Sequence, residues 1–272
     1  MDSYSLGMIA SCLIAEQNTK NDSFRDHTTI LSSLISSLSS THKKSRYWEV
    51  LCSSYNDDVN DSTKQAITKY LDTNDAYEAA NIDINSNDAE VLIRVIPLTF
   101  YIAHHSYLPN EKRYTMIIDA ITLTHRHPIS IISSLIYSTL LLCYLENKVI
   151  DTELYNLFKY LKTKLEYRDW LNSFKLFEHI DRVKVLHRED VSNSLYILDT
   201  LVISAWSVTA SFDFESSLDI LSQMTNNNII HVVAAALRGA RYGIEQIKKE
   251  DLDKIEKDLE QYKDIIKRYE QM

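Results

Sequence analysis

Apolar side chains recur along this chain at spacings of three and four, the signature of helices that each hide one face. Leu198, Leu201, Val202, Ala205 and Trp206 fall at i, i+3, i+4, i+7 and i+8, and Ile230, Val233, Ala234 and Leu237 repeat the spacing in a second helix. Ala236, Gly239, Ala240 and Gly243 give a neighbouring part of that helix little more than backbone, so another helix can approach closely. Ile30, Leu31, Leu34, Ile35 and Leu38 form a further stripe behind helix-start residues at 21–26. Leu154, Leu157, Phe158 and Leu161 form another, and residues 5–16 read as a mostly apolar helix. In the stretch 42–87, rich in Ser, Asn and Asp, Tyr47, Trp48, Val50 and Leu51 anchor one shorter helix and Ile67, Tyr70 and Leu71 a second. The segment 245–272 is densely charged, yet Leu252, Ile255, Leu259, Tyr262, Ile266 and Tyr269 alternate by three and four. That seam is short for a coiled coil and is expected to pack on the rest of the chain.

Residues 129–145 carry no charge but fall short of the ~20 residues of a membrane span. With their Ser and Thr content they read as a buried helix, opened by Pro128 in its first turn, where a missing N–H costs nothing.

Composition narrows the fold. Among 272 residues there are three Gly and three Pro, against ordinary usage of roughly 7% and 5%. A sandwich or barrel with many tight turns needs more of both, so the chain reads as all-α, one compact multi-helix domain over residues 1–272. Loops that cradle phosphates with several glycines have no place in it. The net charge of −9 disfavours nucleic acid as a partner. Cys12, Cys52 and Cys143 are odd in number and widely separated, which suggests neither a disulfide framework nor a zinc knuckle and fits a cytoplasmic protein. No basic segment followed by an apolar run marks a signal peptide, and neither a nucleophile elbow nor a nucleotide fingerprint is present.

Tyr196, Asp199, Thr200, Leu201 and Trp206, then Phe214 and Glu215, then Gly239 and Gly243 stand in the order of a known C-terminal signature. It is that of the ADP-ribosylglycohydrolases, helical enzymes that remove ADP-ribose from modified side chains, which this chain resembles. Arg94, Pro97 and Leu98 resemble one upstream helix of that family, and Thr124, His125 and Pro128 the opening of another. The departures fall on the chemistry. The family's Gly-Gly-Asp-Thr-Asp turn is here Met224, Thr225, Asn226, Asn227 and Asn228, and its Thr-Asp-Asp-Thr helix start is Arg25, Asp26, His27 and Thr28. Its Gly-Asn-Gly is Asp88, Ala89 and Glu90, and of its Gly-rich first helix only Gly7 and an acid, Glu16, remain.

The resemblance implies an orthogonal helix bundle and, in the enzymes, two magnesium ions held where those two helix starts meet, so residues 25–28 are expected beside 225–228. Hard cations need several anionic oxygens. Of four carboxylates Asp26 alone remains, with His27, Asn226 and Asn228 at the other positions, while Arg25 adds a fixed cation that repels a metal. No cofactor is therefore expected. A single softer metal on Asp26 and His27 is the alternative, but adjacent helical residues point apart and chelate poorly. His125 and His127 also hint at metal, although the resemblance puts His125 in the ligand pocket without that role. Asp26 and Glu16 remain as candidate general bases, and Asp26, His27, His125, Asn226 and Asn228 as candidate ligand contacts. Tyr196, Asp199 and Thr200 are expected to hold the fold, Asp199 as a buried mid-helix acid. The expected function is that of a pseudoenzyme binding a protein partner, ADP-ribosylated or not, or an ADP-ribose-like ligand. An active divergent hydrolase is the alternative, and a helical adaptor whose cleft is irrelevant is a second.

Overall fold

The structure, a computed structural model, describes residues 3–19 and 61–270. The expectations for Arg25, Asp26, His27 and Thr28, for the stripe at 30–38 and for residues 47–51 lie outside the described residues, as does the meeting of 25–28 with 225–228.

The protein is helical. The longer helices are α1 (Ser3–Thr19), α2 (Asp61–Thr73), α3 (Glu90–His104), α4 (Asn110–Ile121), α5 (Pro128–Leu145), α6 (Ile150–Thr163), α7 (Ile197–Thr209), α8 (Phe214–Ser222), α9 (Asn228–Tyr242) and α10 (Lys249–Glu270). Shorter helical turns join them, and among the described residues the only β structure is two isolated bridges, Asn81 with His125 and Asp88 with Tyr196.

Two helices form the centre. On α5 every residue from Ile129 to Cys143 is buried, against α3, α4, α6, α7 and α9. It is 18 residues long and apolar, but the protein itself covers it, as expected of a helix slightly short of a span and carrying several hydroxyls. Tyr137 on α5 is fully buried, and its hydroxyl donates to the Val233 carbonyl of α9 at 2.8 Å. Helix α9 is the second centre, with Ile230, Val233, Ala234 and Leu237 buried as their spacing predicts.

The small residues of α9 meet α1. A Cβ on Gly7 would lie 2.6 Å from the Gly239 carbonyl oxygen, and one on Gly239 would fall on the Gly7 carbonyl and 2.6 Å from Ser11 Oγ. Backbone meets backbone there, so neither position has room for a side chain. Helix α9 ends at Gly243, whose φ of 77° suits glycine. Helix α10 packs on α1 with Ile255 and Leu259 buried.

Two stripes need correction. Leu71 is 67% exposed, and the buried face of α2 is Thr63, Ala66 and Ile67 with Tyr70 half-buried. On α7, Ile197, Ile203 and Val208 are as buried as Leu201 and Ala205, while Leu198 and Val202 are half-buried. Packing against α5, α8 and α9 covers that helix on several sides rather than one.

Candidate functional site

Two polar regions border the central helices. The first lies where the loops entering α3, α5 and α7 are laced together. The Asn81 N–H donates to the Thr124 carbonyl at 2.8 Å, and the Arg126 N–H to that of Asn81 at 2.7 Å. The Ala89 N–H reaches the Leu195 carbonyl at 3.1 Å, and the Ile197 N–H reaches Asn87 at 3.0 Å. These bonds fix the chain around His125, which is 1% exposed.

His125 sits in a relay. Its Nε2 is 3.0 Å from Asp88 Oδ2 and its Nδ1 is 2.7 Å from Thr124 Oγ1. Thr124 Oγ1 accepts from Arg94 Nη1 at 2.5 Å. A carboxylate only accepts, so the ring carries its proton on Nε2 and takes the Thr124 hydroxyl proton at Nδ1, a tautomer assigned from the bonds. Arg94 is 1% exposed, also reaches Thr63 Oγ1 at 3.4 Å, and its pKa is lowered by burial although Glu90 and Asp88 act against this. His127 works separately. Its Nδ1 accepts from the Ile129 N–H and from Asn87 Nδ2, both at 3.2 Å, capping α5. Ser130 Oγ donates to Asn87 Oδ1 at 2.5 Å, and the His127 ring meets Trp170 edge-on at 4.6 Å. Burial lowers the His127 pKa. The two histidines thus serve different partners and do not converge.

Asp199 is corrected by its position. It stands half-buried in the first turn of α7, not buried at mid-helix, and accepts from Ser192 Oγ at 2.8 Å and Ser194 Oγ at 2.6 Å. An acid belongs there, against the positive end of a helix. Thr200 is buried and donates to the Ser194 carbonyl at 3.2 Å, and Tyr196 is half-buried with its pKa raised by burial and then by Asp199.

The second region is the start of α9. Asn227 is the cap, its side chain accepting from the Ile229 N–H at 3.0 Å and the Ile230 N–H at 3.4 Å. Asn193 Nδ2 ties this turn to the α7 entry through the Met224 carbonyl at 2.8 Å. Asn226 and Asn228 open onto a cavity of about 610 Å³ walled by α1, α8 and α9, with Asp251 of α10. His231 and Arg238 line the same cavity. His231 Nε2 lies 2.8 Å from the Thr225 carbonyl, and burial lowers its pKa, with Arg238 acting the same way. Arg238 is 2% exposed, donates from Nε to Ser217 Oγ at 3.1 Å, and rests 5.4 Å from the Phe214 ring centre. Burial pushes its pKa down to about 10. Ile14 and Ala15 of α1 face the cavity, while Glu16 beside them is 2% exposed and is not part of its lining.

Such a donor set does not fit hard divalent cations. The described groups at the α9 start are two amides and an imidazole that burial keeps neutral, sharing their cavity with a fixed guanidinium. The cavity's carboxylates, Asp219 and Asp251, come from α8 and α10, and Asp251 accepts from Lys254 at 2.6 Å. Among the described residues no three His, Cys, Asp or Glu side chains gather as a metal site would require.

Sequence reading missed Asp88, Asn87, His231 and Arg238. His231 and Arg238 are seven apart, two turns of helix, so with Asn228 they form a polar stripe on an otherwise apolar helix. That signal was present in the sequence. The Asp88 role was not, because it depends on which loops pair.

With the bundle and both polar regions in view, comparison with known proteins gives the class. The family model for ADP-ribosylglycohydrolase matches residues 8–272. The chain belongs to the ADP-ribosylglycohydrolase family. A solved structure described as an "ADP-ribosylglycohydrolase-related protein complex" has the same fold, with a TM-score of 0.65 at 18% identity over 90% of this chain and 81% of that one. A search of curated proteins found no match.

Proposed function

We propose that this chain is a catalytically degenerate ADP-ribosylglycohydrolase-like protein, one helical domain with α10 included, that binds without a dinuclear metal. Its ligand is an ADP-ribose-like molecule or a protein partner, ADP-ribosylated or not, and its setting is the cytoplasm, with neither nucleic acid nor membrane as partner. The observation that carries this reading is the α9 start. Asn226 and Asn228 stand where the resembled enzymes have carboxylates, and they share a cavity with the buried cation Arg238. The other end supports retained binding, since the relay from Arg94 through Thr124 and His125 to Asp88 is built and mostly buried.

Without metal-bound water, the remaining chemistry is that of a single general base such as Asp26 or Glu16. One such group contributes ~10²–10⁴-fold, short of the ~10⁶-fold or more of an enzyme. ADP-ribose is expected to raise the melting temperature, while no free ADP-ribose is released from ADP-ribosyl-arginine, ADP-ribosyl-serine or O-acetyl-ADP-ribose. Turnover of any of these that Asp26→Ala abolishes would make the chain an enzyme and defeat the proposal.

A further inference from the structure

The cavity beside α9 contains two buried donors with nothing to donate to. Arg238 Nη2 has no hydrogen-bond partner, and neither has Ser11 Oγ on the facing α1, although both residues are 2% exposed and both line the cavity. The helices that carry them, α1 and α9, cross closely at this wall, since a Cβ on Gly239, the residue after Arg238, would lie 2.6 Å from Ser11 Oγ. The guanidinium makes one hydrogen bond, to neutral Ser217, and among the described residues no carboxylate is hydrogen-bonded to it, although the charge of Glu215 acts on it. A buried cation with neither a bonded counter-ion nor full hydrogen bonding is costly. It persists at low cost where something anionic completes it.

We infer that this cavity binds a small molecule through an oxyanion, phosphate or carboxylate, received by Arg238 and Ser11. A guanidinium presents parallel N–H bonds matched to two oxygens of such a group, and the Ser11 hydroxyl adds a third donor. Phe214 supplies an aromatic wall, and 610 Å³ is the size of an ordinary small-molecule pocket. Asp219 and Asp251 at the same cavity repel a bare anion, so the body of the ligand carries hydroxyl or amine donors that meet them. The site has thus changed the sign of its preference, from the cations of the resembled enzymes to an anion.

The inference does not depend on ADP-ribose being the ligand. The test follows thermal unfolding of the full chain against inorganic phosphate, glycerol phosphate, acetate and lactate, each at ionic strength matched with chloride. A saturable rise is expected with the phosphate pair or the carboxylate pair, larger for the hydroxyl-bearing member. Arg238→Met is expected to abolish it, and Ser11→Ala to weaken binding by about tenfold, the value of one hydrogen bond to a charged group. Should Arg238→Met not fold, Ala15→Leu, which fills the cavity, is expected to remove the same response. No response beyond chloride overturns the inference, and so does a response that survives both Arg238→Met and Ala15→Leu. A phosphate response without an ADP-ribose response keeps this inference and removes ADP-ribose from the function proposed above. An ADP-ribose response undiminished by Arg238→Met does the reverse.

Discussion

The relay at His125 and the cavity at Arg238 are both built around a buried arginine, and they treat it differently. Arg94 donates to two threonine hydroxyls although its Nε has no partner, has Asp88 and Glu90 close enough to act on its charge, and leads into a histidine held at both nitrogens. Arg238 has one serine, one aromatic ring, the charge of Glu215 as a lesser influence, and an unpartnered Nη2 beside 610 Å³ of space. The same side chain is therefore more nearly completed in one place, by two hydroxyls and two acids, and less so in the other, where it borders open space. Where a polar group is completed internally its removal costs stability, and where it is incomplete its removal costs binding.

The largest effect is expected from closing the wall of the second region. Gly239→Val places a branched side chain on the Gly7 backbone, where no rotamer can relieve the clash. Over-packing ordinarily costs ~1–3 kcal/mol, and with backbone as the obstacle a loss of about 3 kcal/mol or more is expected in urea unfolding. A loss under ~1 kcal/mol would mean that α1 and α9 do not cross as closely as Gly7 and Gly239 imply.

The arginines themselves give the next largest effect and the sharpest contrast. Arg94→Met removes the buried donor to Thr124 Oγ1 and the cation on which Glu90 and Asp88 act, so roughly 2–4 kcal/mol should be lost. Arg238→Met removes a poorly compensated charge and is expected to leave ligand-free stability within about 1 kcal/mol of the parent, or above it. Equal losses in the two variants, measured by denaturant unfolding without added anions, would erase the distinction between the regions.

The helices were legible because burial repeats with the helical period. Leu154, Leu157, Phe158 and Leu161 are all buried, as are Ile230, Val233, Ala234 and Leu237. That some helix approaches α9 closely was legible too, from the small residues Ala236, Gly239, Ala240 and Gly243, whereas its identity as α1 came from the structure. What the pattern could not give was the lacing of loops. Asp88 reads as a departure from a glycine-rich motif until the bridge to Tyr196 and the bond to His125 show what it holds. Asp199 reads as a mid-helix acid until the start of α7 is fixed at Ile197. Arg238 was visible as part of a polar stripe, but such a stripe reads as a solvent-facing side unless the helix is known to be covered by its neighbours.

The smallest effect separates the two regions by pH. Burial holds the folded-state pKa of both His127 and His231 below 6.5, the ordinary value that the unfolded chain keeps. Between the two values the unfolded state binds more protons, so stability is full above 6.5 and falls as pH drops through 6.5 toward the folded pKa. The mechanisms differ. At His127 the proton would enter on Nδ1, the atom that caps α5, whereas His231 already donates from Nε2 and is opposed mainly by desolvation, then by Arg238. His127→Asn keeps a capping oxygen that does not titrate, and it should flatten part of the slope while preserving stability at neutral pH. Arg238→Met should flatten a different and smaller part, by removing the cation that disfavours a charged His231. Unfolding measured from about pH 7.5 to about pH 5.5 tests both. A slope of opposite sign, or one that neither substitution changes, would show that these buried imidazoles do not set the acid limit of the fold.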